Sequence, residues 1–160
     1  MTKLIISKFK NIWKNNTLTI TSGAIGVGIV VVFFSIFFSL FKITTISGKS
    51  MLPTLTPGQV TLVKITKNIK KNDIVFFKHQ NTILVKRVIA VEGDHLVIND
   101  NTLFVNGKKV ETLDKNSPTK NLDVIIKKDQ FYALGDNLPE SFDSRQFGIF
   151  SVHDIIGVKP

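Results

Sequence analysis

The chain has 160 residues, 43% of them hydrophobic, carries a net charge of +9 and contains no cysteine. That length admits one small domain beside any membrane segment, and the missing cysteine excludes disulfides, thiolate metal sites and thiol nucleophiles. A basic chain raises nucleic acid as a partner, but residues 1–72 hold ten lysines and no acid (+10) while residues 73–160 sum to −1. The surplus flanks one apolar stretch, so nucleic-acid binding is not expected.

Between Lys14 and Lys42 lie 27 uncharged residues, and Ala24 to Phe38 is almost continuously apolar. About 20 apolar residues cross the ~30 Å hydrocarbon core of a bilayer as a helix. The pattern predicts a cytoplasmic tail over 1–16 and a transmembrane helix over 17–42. Gly23, Gly26, Gly28 and the run Ile29-Val30-Val31-Val32 are poor helix formers in water, but lipid leaves the backbone no other partner. The stretch is longer than the apolar region of a signal peptide and lacks a small-x-small cleavage site at its end. Lys3, Lys8, Lys10 and Lys14 precede it, against Lys42 and Lys49 soon after. The excess of positive charge on cytoplasmic loops places the N-terminus in the cytoplasm and residues from 43 onward outside, with membrane lipid as a partner. Trp13 falls where an interfacial aromatic belongs.

From Ile43 the hydrophobic period changes to two. Strands are predicted over Val60–Ile65, Asp73–Phe77, Thr82–Ile89 and His95–Ile98. Thr102–Val105 and Lys108–Val110 flank Asn106-Gly107, the dipeptide that tolerates the positive φ angles of a tight hairpin turn. Phe131–Leu134 and Ile155–Val158 complete the set. Residues 111–129 are polar and read as an exposed excursion. No second helix is predicted. The fold class is mostly β: an antiparallel sheet domain over 43–160, anchored by one N-terminal helix.

Side chains alternate faces along a strand, so Lys86 shares one side of its strand with Leu84, Val88 and Ala90. An ammonium among apolar neighbours is disfavoured, which is the direction a general base requires. The other reading is a lysine snorkelling its amine to water from an edge strand, and taken alone that reading is the commoner one. Ser50 lies in Gly48-Lys49-Ser50-Met51-Leu52-Pro53-Thr54-Leu55, just beyond the apolar stretch. A serine needs a base to become a nucleophile. Lys49 is excluded because adjacent side chains of an extended segment point apart. Gly48 permits close backbone approach, and the Ser50 N–H is a candidate oxyanion donor. Gly135 to Arg145 is dense in small polar groups. It reads either as a loop with an exposed Asp143–Arg145 pair or as a shell in which Ser141 meets a lysine amine.

Taken together, these blocks resemble those of bacterial type I signal peptidases, the membrane-bound serine/lysine peptidases of the S26 type. Gly48 to Leu55 is similar to the G-x-S-M-x-P-T-L block. Lys86 to Asp94 resembles K-R-[VI]-[IV]-G-L-P-G-D, with Ala90-Val91-Glu92 in place of Gly-Leu-Pro. Gly135 to Arg145 fits G-D-N-x-x-x-S-x-D-S-R, and Leu103 to Gly107 resembles L-Y-[VI]-N-G. Gln59 stands where the family usually has Asp, and Gly48 resembles the Gram-positive subtype. The resemblance implies Ser50 as nucleophile, Lys86 as base, Ser141 as the residue orienting that lysine, and Asp143 with Arg145 in support. It also implies exported preproteins with small residues at −1 and −3 as substrates, and shallow apolar pockets for which Met51, Leu55 and Val85 are candidates. No cofactor and no metal is implied.

Other chemistries fit less well. His79, His95 and His153 are scattered and no G-x-S-x-G elbow is present, so a serine–histidine hydrolase is not expected. H-E-x-x-H is absent. A self-cleaving repressor would need a DNA-binding domain where this chain has its apolar stretch. The alternative from another class is a catalytically inactive relative, a membrane-tethered binding factor in pilus assembly for example.

Overall fold

The computed structural model describes residues 25–113 and 119–160, in two units, Met1–Leu40 and Phe41–Pro160. Residues 25–40 are helical, and their large apolar side chains are exposed almost without exception. Among the described residues no helix is long and apolar enough to cross a membrane. The first part of the expected span and the tail before it, with Trp13, lie outside the described residues. At its other end the sequence reading needs a correction: Phe41 and Lys42 belong to a strand. Phe41-Lys42-Ile43-Thr44-Thr45 pairs residue by residue with Val60–Lys64, and that ladder ends the helix at residue 40.

Eleven strands follow among the described residues: β1 (Phe41–Thr45), β2 (Val60–Lys64), β3 (Ile74–His79), β4 (Thr82–Val91), β5 (His95–Asn99), β6 (Thr102–Val105), β7 (Lys108–Thr112), β8 (Leu122–Ile125), β9 (Gln130–Leu134), β10 (Phe150–Ser151) and β11 (Ile155–Val158). They form a seven-stranded sheet, order β1-β2-β11-β3-β4-β9-β10, and a four-stranded sheet, order β7-β6-β5-β8. Every described pairing is antiparallel. The expected mostly β, antiparallel class is therefore observed. Asn106 and Gly107 both adopt positive φ between β6 and β7, as the Asn-Gly signal requires.

Within the residues expected to form an exposed excursion, 111–112 and 122–125 are strand, β8 pairs with β5, and Leu113 and Ile126 are each 1% exposed; most of the others are exposed, and 114–118 lie outside the described residues. β8 was hidden because it is an edge strand, where one face and one backbone edge meet water and Asp123 is tolerated. The absence of further helix is also corrected. Ser144–Phe147 forms one helical turn, and Leu138–Glu140 and Val152–Asp154 form 3-10 turns. Asp143 caps that helix reciprocally with Gln146, a four-residue signature that the length of the helix concealed.

Aromatic packing joins the strands of the large sheet. Phe77 meets Phe131 edge-on at 5.3 Å and Phe150 at 4.6 Å, in a core closed by Val75, Val88, Ile155 and Val158. A second core, with Leu96, Leu103, Ile126 and Tyr132, joins the small sheet to β9. A third packs Ile46, Met51 and Leu55 of the segment after β1 against Val63, Ile74 and Phe76. That third core holds the chain around Ser50 against the large sheet.

β11 threads between β2 and β3 through a register shift at Ile155/Gly157. A Cβ at Gly157 would overlap the Lys64 carbonyl and stand 2.7 Å from Val63 Cγ1. Gly157→Ala is therefore expected to lower stability by roughly 1–3 kcal/mol, the usual cost of overpacking. Gly48→Ala, whose Cβ meets nothing within 4 Å, should leave stability unchanged. Urea unfolding of the detergent-solubilised chain would compare the two.

Candidate active site

β4 changes partners along its length, and both neighbouring strands pair with it only at Arg87. β3 accompanies it from Thr82 to Arg87, whereas β9 joins at Arg87 and runs beside it to Val91. Beside Lys86, where β9 has ended, the neighbouring place is taken by the Gly135–Asn137 loop and the segment carrying Ser50. The Asn137 N–H donates to the Ser50 carbonyl at 2.9 Å, and Asn137 Nδ2 donates to the Lys49 carbonyl at 3.1 Å. Gly135 is required here. A Cβ would overlap the Ser141 hydroxyl and lie 2.5 Å from the Ser50 carbonyl oxygen.

Lys86 is 3% exposed. Its neighbour on β3 is Val75, and its Nζ donates to Ser50 Oγ at 2.6 Å. The snorkelling alternative is thereby removed, since the amine turns inward to a hydroxyl. Burial pushes the Lys86 amine down to about 8; the Asp143 carboxylate opposes this, Arg145 adds to it, and Asp136 opposes it. Desolvation wins because two carboxylate contributions are set against both burial and a guanidinium. Lys49, by contrast, is exposed.

Ser141 does not meet Lys86 as the sequence reading placed it. Its hydroxyl donates to Asp143 Oδ2 at 2.6 Å, and among the described residues the Lys86 amine has Ser50 as its hydrogen-bond partner. The single proton of the hydroxyl goes to the charged carboxylate, the strongest acceptor beside it, and the Lys86 proton goes to Ser50. The Asp143–Arg145 pair is not exposed either, for both side chains are 0% exposed. Asp143 also accepts from the Gly135 N–H at 3.0 Å and from Arg145 Nε at 2.9 Å. Arg145 Nη2 reaches the Leu138 and Ser141 carbonyls at 2.7 and 2.9 Å.

Two residues that sequence reasoning left without a role complete the surround. Arg87, on the other face of β4 from Lys86, makes a two-toothed pair with Asp136 at 2.8 and 2.6 Å. Burial would raise the Asp136 carboxyl, but hydrogen bonds from Arg87 and Thr54 and the charges of Arg87 and Lys86 hold it below the usual range. The signal was present in the sequence as an arginine directly after the lysine and an acid directly after Gly135. Only pairing of β4 with β9 shows that they meet.

A groove of about 570 Å³ runs past the hydroxyl, lined by Gly48, Ser50, Met51, Phe76, Val85 and Lys86 among others. Met51 and Val85, two of the expected pocket residues, both line it. Leu55 does not: it is 0% exposed and packs behind the groove in the third core. A larger cavity of about 820 Å³ adjoins the Arg87–Asp136 pair, but neither Ser50 nor Lys86 lines it.

A desolvated amine within hydrogen-bond reach of a serine hydroxyl, on an antiparallel scaffold, is the equipment of a serine hydrolase that uses lysine as its base. Residues 19–159 match the family described as signal peptidase, peptidase S26. Signal peptidase I P of Bacillus subtilis subsp. natto is 34% identical over 139 residues, covering 75% of each chain. Signal peptidase IB of Staphylococcus aureus (strain Mu50) is 36% identical over 141 residues, covering 71% of this chain and 72% of that protein. A crystal structure of a signal peptidase I from Enterococcus faecalis V583 aligns at 24% identity and a TM-score of 0.48, over 61% of this chain and all of that one. The chain belongs to the S26 signal peptidase family, a family of serine peptidases.

The buried pair behind Lys86 gives a test of the scaffold. Asp143→Ala would leave a buried guanidinium uncompensated, and the expected loss is about 3–5 kcal/mol of stability. Denaturant unfolding checks it. A loss below about 1 kcal/mol, the range of an exposed pair, would mean that the pair is not desolvated in solution.

Proposed function

We propose that this chain removes N-terminal signal peptides from exported preproteins, with Ser50 as nucleophile and Lys86 as general base. The observation that carries the reading is the 2.6 Å contact between Lys86 Nζ and Ser50 Oγ, made by an amine that burial holds near pH 8. Neutral Lys86 takes the Ser50 proton as Oγ attacks the scissile carbonyl. The Ser50 N–H has no protein acceptor among the described residues and is available to the developing oxyanion. Lys86 then passes its proton to the leaving amine, which departs as the new N-terminus. The same amine next deprotonates a water, which attacks the ester and releases the signal peptide with Ser50 restored.

The substrate would lie extended along the groove. Thr82–Val85 of β4 lack a β9 partner and line it, so a peptide strand can complete the ladder there. Met51, Phe76 and Val85 narrow the apolar wall, which suits small side chains at −1 and −3. Residues 17–40 anchor the chain, with the N-terminus in the cytoplasm and the β domain outside. The described part, 25–40, is apolar on all sides, which in a helix means a partner other than water. Anchoring raises the local concentration of enzyme at membrane-inserted substrates.

The decisive experiment is cleavage of a preprotein bearing an Ala-x-Ala junction by the detergent-solubilised chain. Ser50→Ala and Lys86→Ala should each lower kcat by roughly a thousandfold or more while remaining folded, the loss expected when a member of a nucleophile–base unit is removed. No cleavage by the parent chain would favour a membrane-tethered binding factor instead.

The pH profile follows with a definite sign. Only neutral Lys86 accepts a proton, so kcat/KM should rise with pH and level off above about 8. At pH 7 about a tenth of the amine is neutral, one unit below the midpoint. A profile that falls between pH 6 and 8 would remove Lys86 as the base.

A further inference from the structure

We propose that the end of the β domain where β1 begins carries a binding surface for anionic phospholipid headgroups, built from Lys64, Lys70 and Lys159. It is separate from the groove and rests on the reading of residues 17–40 as a membrane anchor.

The placement follows from register alone. Phe41 is the first residue after the helix, and its partner on β2 is Lys64, one strand spacing of about 5 Å away. Lys64 in turn pairs with Val158 of β11, which brings Lys159 alongside. The chain then turns through 65–73, and Lys70 joins the same depression. This hollow, about 500 Å³, is lined by Lys64, Thr66, Asn68, Lys70 and Lys159, together with Asp73, Val158 and Pro160. Lys64 and Lys70 are exposed and Lys159 is half-buried. Asp73 is the lining side-chain carboxylate, and one of its oxygens already accepts from the Lys70 backbone N–H at 3.0 Å. The nearby Lys67 is held away by its bond to the His153 carbonyl at 2.8 Å.

Three lysines, a threonine and an asparagine lining one hollow supply the donors that a phosphodiester accepts from. A membrane phosphate is favoured over a soluble one because Lys64, which lines the hollow, pairs with Phe41, the residue that follows the helix in the chain. Lys64, Lys70 and Lys159 lie far from the span in sequence, so they do not compete with Lys3, Lys8, Lys10 and Lys14 in setting topology.

Lysine acetylation rates, read by mass spectrometry on the full chain in nanodiscs, test this without reference to activity. In discs of phosphatidylcholine with phosphatidylglycerol, Lys64, Lys70 and Lys159 should react several-fold more slowly than in phosphatidylcholine alone; each lysine near an anionic surface gains about fivefold in affinity. Lys108 and Lys109, exposed on β7 of the other sheet, should react equally in both. Equal rates for the three in the two discs overturn the proposal, as does equal slowing of Lys108 and Lys109. Slowing by inorganic phosphate in detergent, to the extent seen with phosphatidylglycerol, would assign the hollow to soluble phosphate and overturn the lipid source. A chain that fails to co-purify with either disc overturns the anchor itself, a result distinct from loss of the headgroup contact.

Discussion

The carboxylate of Asp143 organises the loop behind the Ser50–Lys86 pair. It accepts from the Ser141 hydroxyl, the Gly135 N–H, and the backbone N–H, Nε and Nη2 of Arg145. It also starts the helical turn Ser144–Phe147. One buried charge thus joins the end of β9, the 3-10 turn and the helix. Arg145 carries the connection onward to the Leu138 and Ser141 carbonyls. A buried ion pair adds little net stability against an apolar isostere, because desolvation offsets most of its Coulomb energy. Its value here is geometric. The loop that hydrogen-bonds the Ser50 carbonyl has one conformation because its charges have one arrangement.

Lys86 is the opposite case, a buried amine set against stability. Lowering it from 10.5 to about 8 corresponds to about 3 kcal/mol of unfavourable burial at neutral pH. The sign follows from proton counting. Below pH 8 both folded and unfolded chains hold the proton and the cost is fully present. Between about 8 and 10.5 the unfolded chain holds a proton that the folded one has lost, so stability rises with pH across that window. The third core, with Met51 and Leu55 fully buried, offsets this by pinning Ser50 against the sheet. Destabilisation is concentrated at the amine that hydrogen-bonds Ser50, and groups perturbed in this way cluster at functional sites.

The surround also explains why Lys86 and Arg87, adjacent in sequence, serve different ends. Strand alternation sends one to Ser50 and the other to Asp136. Arg87 keeps its charge in a two-toothed pair, half-exposed, where water and a carboxylate share it. Lys86 has a neutral hydroxyl for its hydrogen-bond partner, and desolvation outweighs the nearby carboxylates. Arginine could not replace it, since a guanidinium does not give up its proton in proteins.

Much of the fold was legible where the hydrophobic period was clean. β4, with Leu84, Lys86, Val88 and Ala90 on one side, and the Asn106-Gly107 hairpin follow from local rules. β1 was not legible, because Phe41 and Lys42 continue an apolar run and only pairing with β2 makes them a strand. β8 was not, because an edge strand bearing Asp123 looks like a polar loop. The candidate site divides in the same way. By itself the sequence determined the antiparallel class, the S26 membership and the three blocks carrying Ser50, Lys86 and Ser141, since these rest on residue type and order along the chain. Only the tertiary structure decided that the Ser141 proton goes to Asp143, that Leu55 stands behind the groove and that Arg87 meets Asp136. Those are contacts between residues distant in sequence or competing for one partner, and burial, which local pattern does not report, selects the winner.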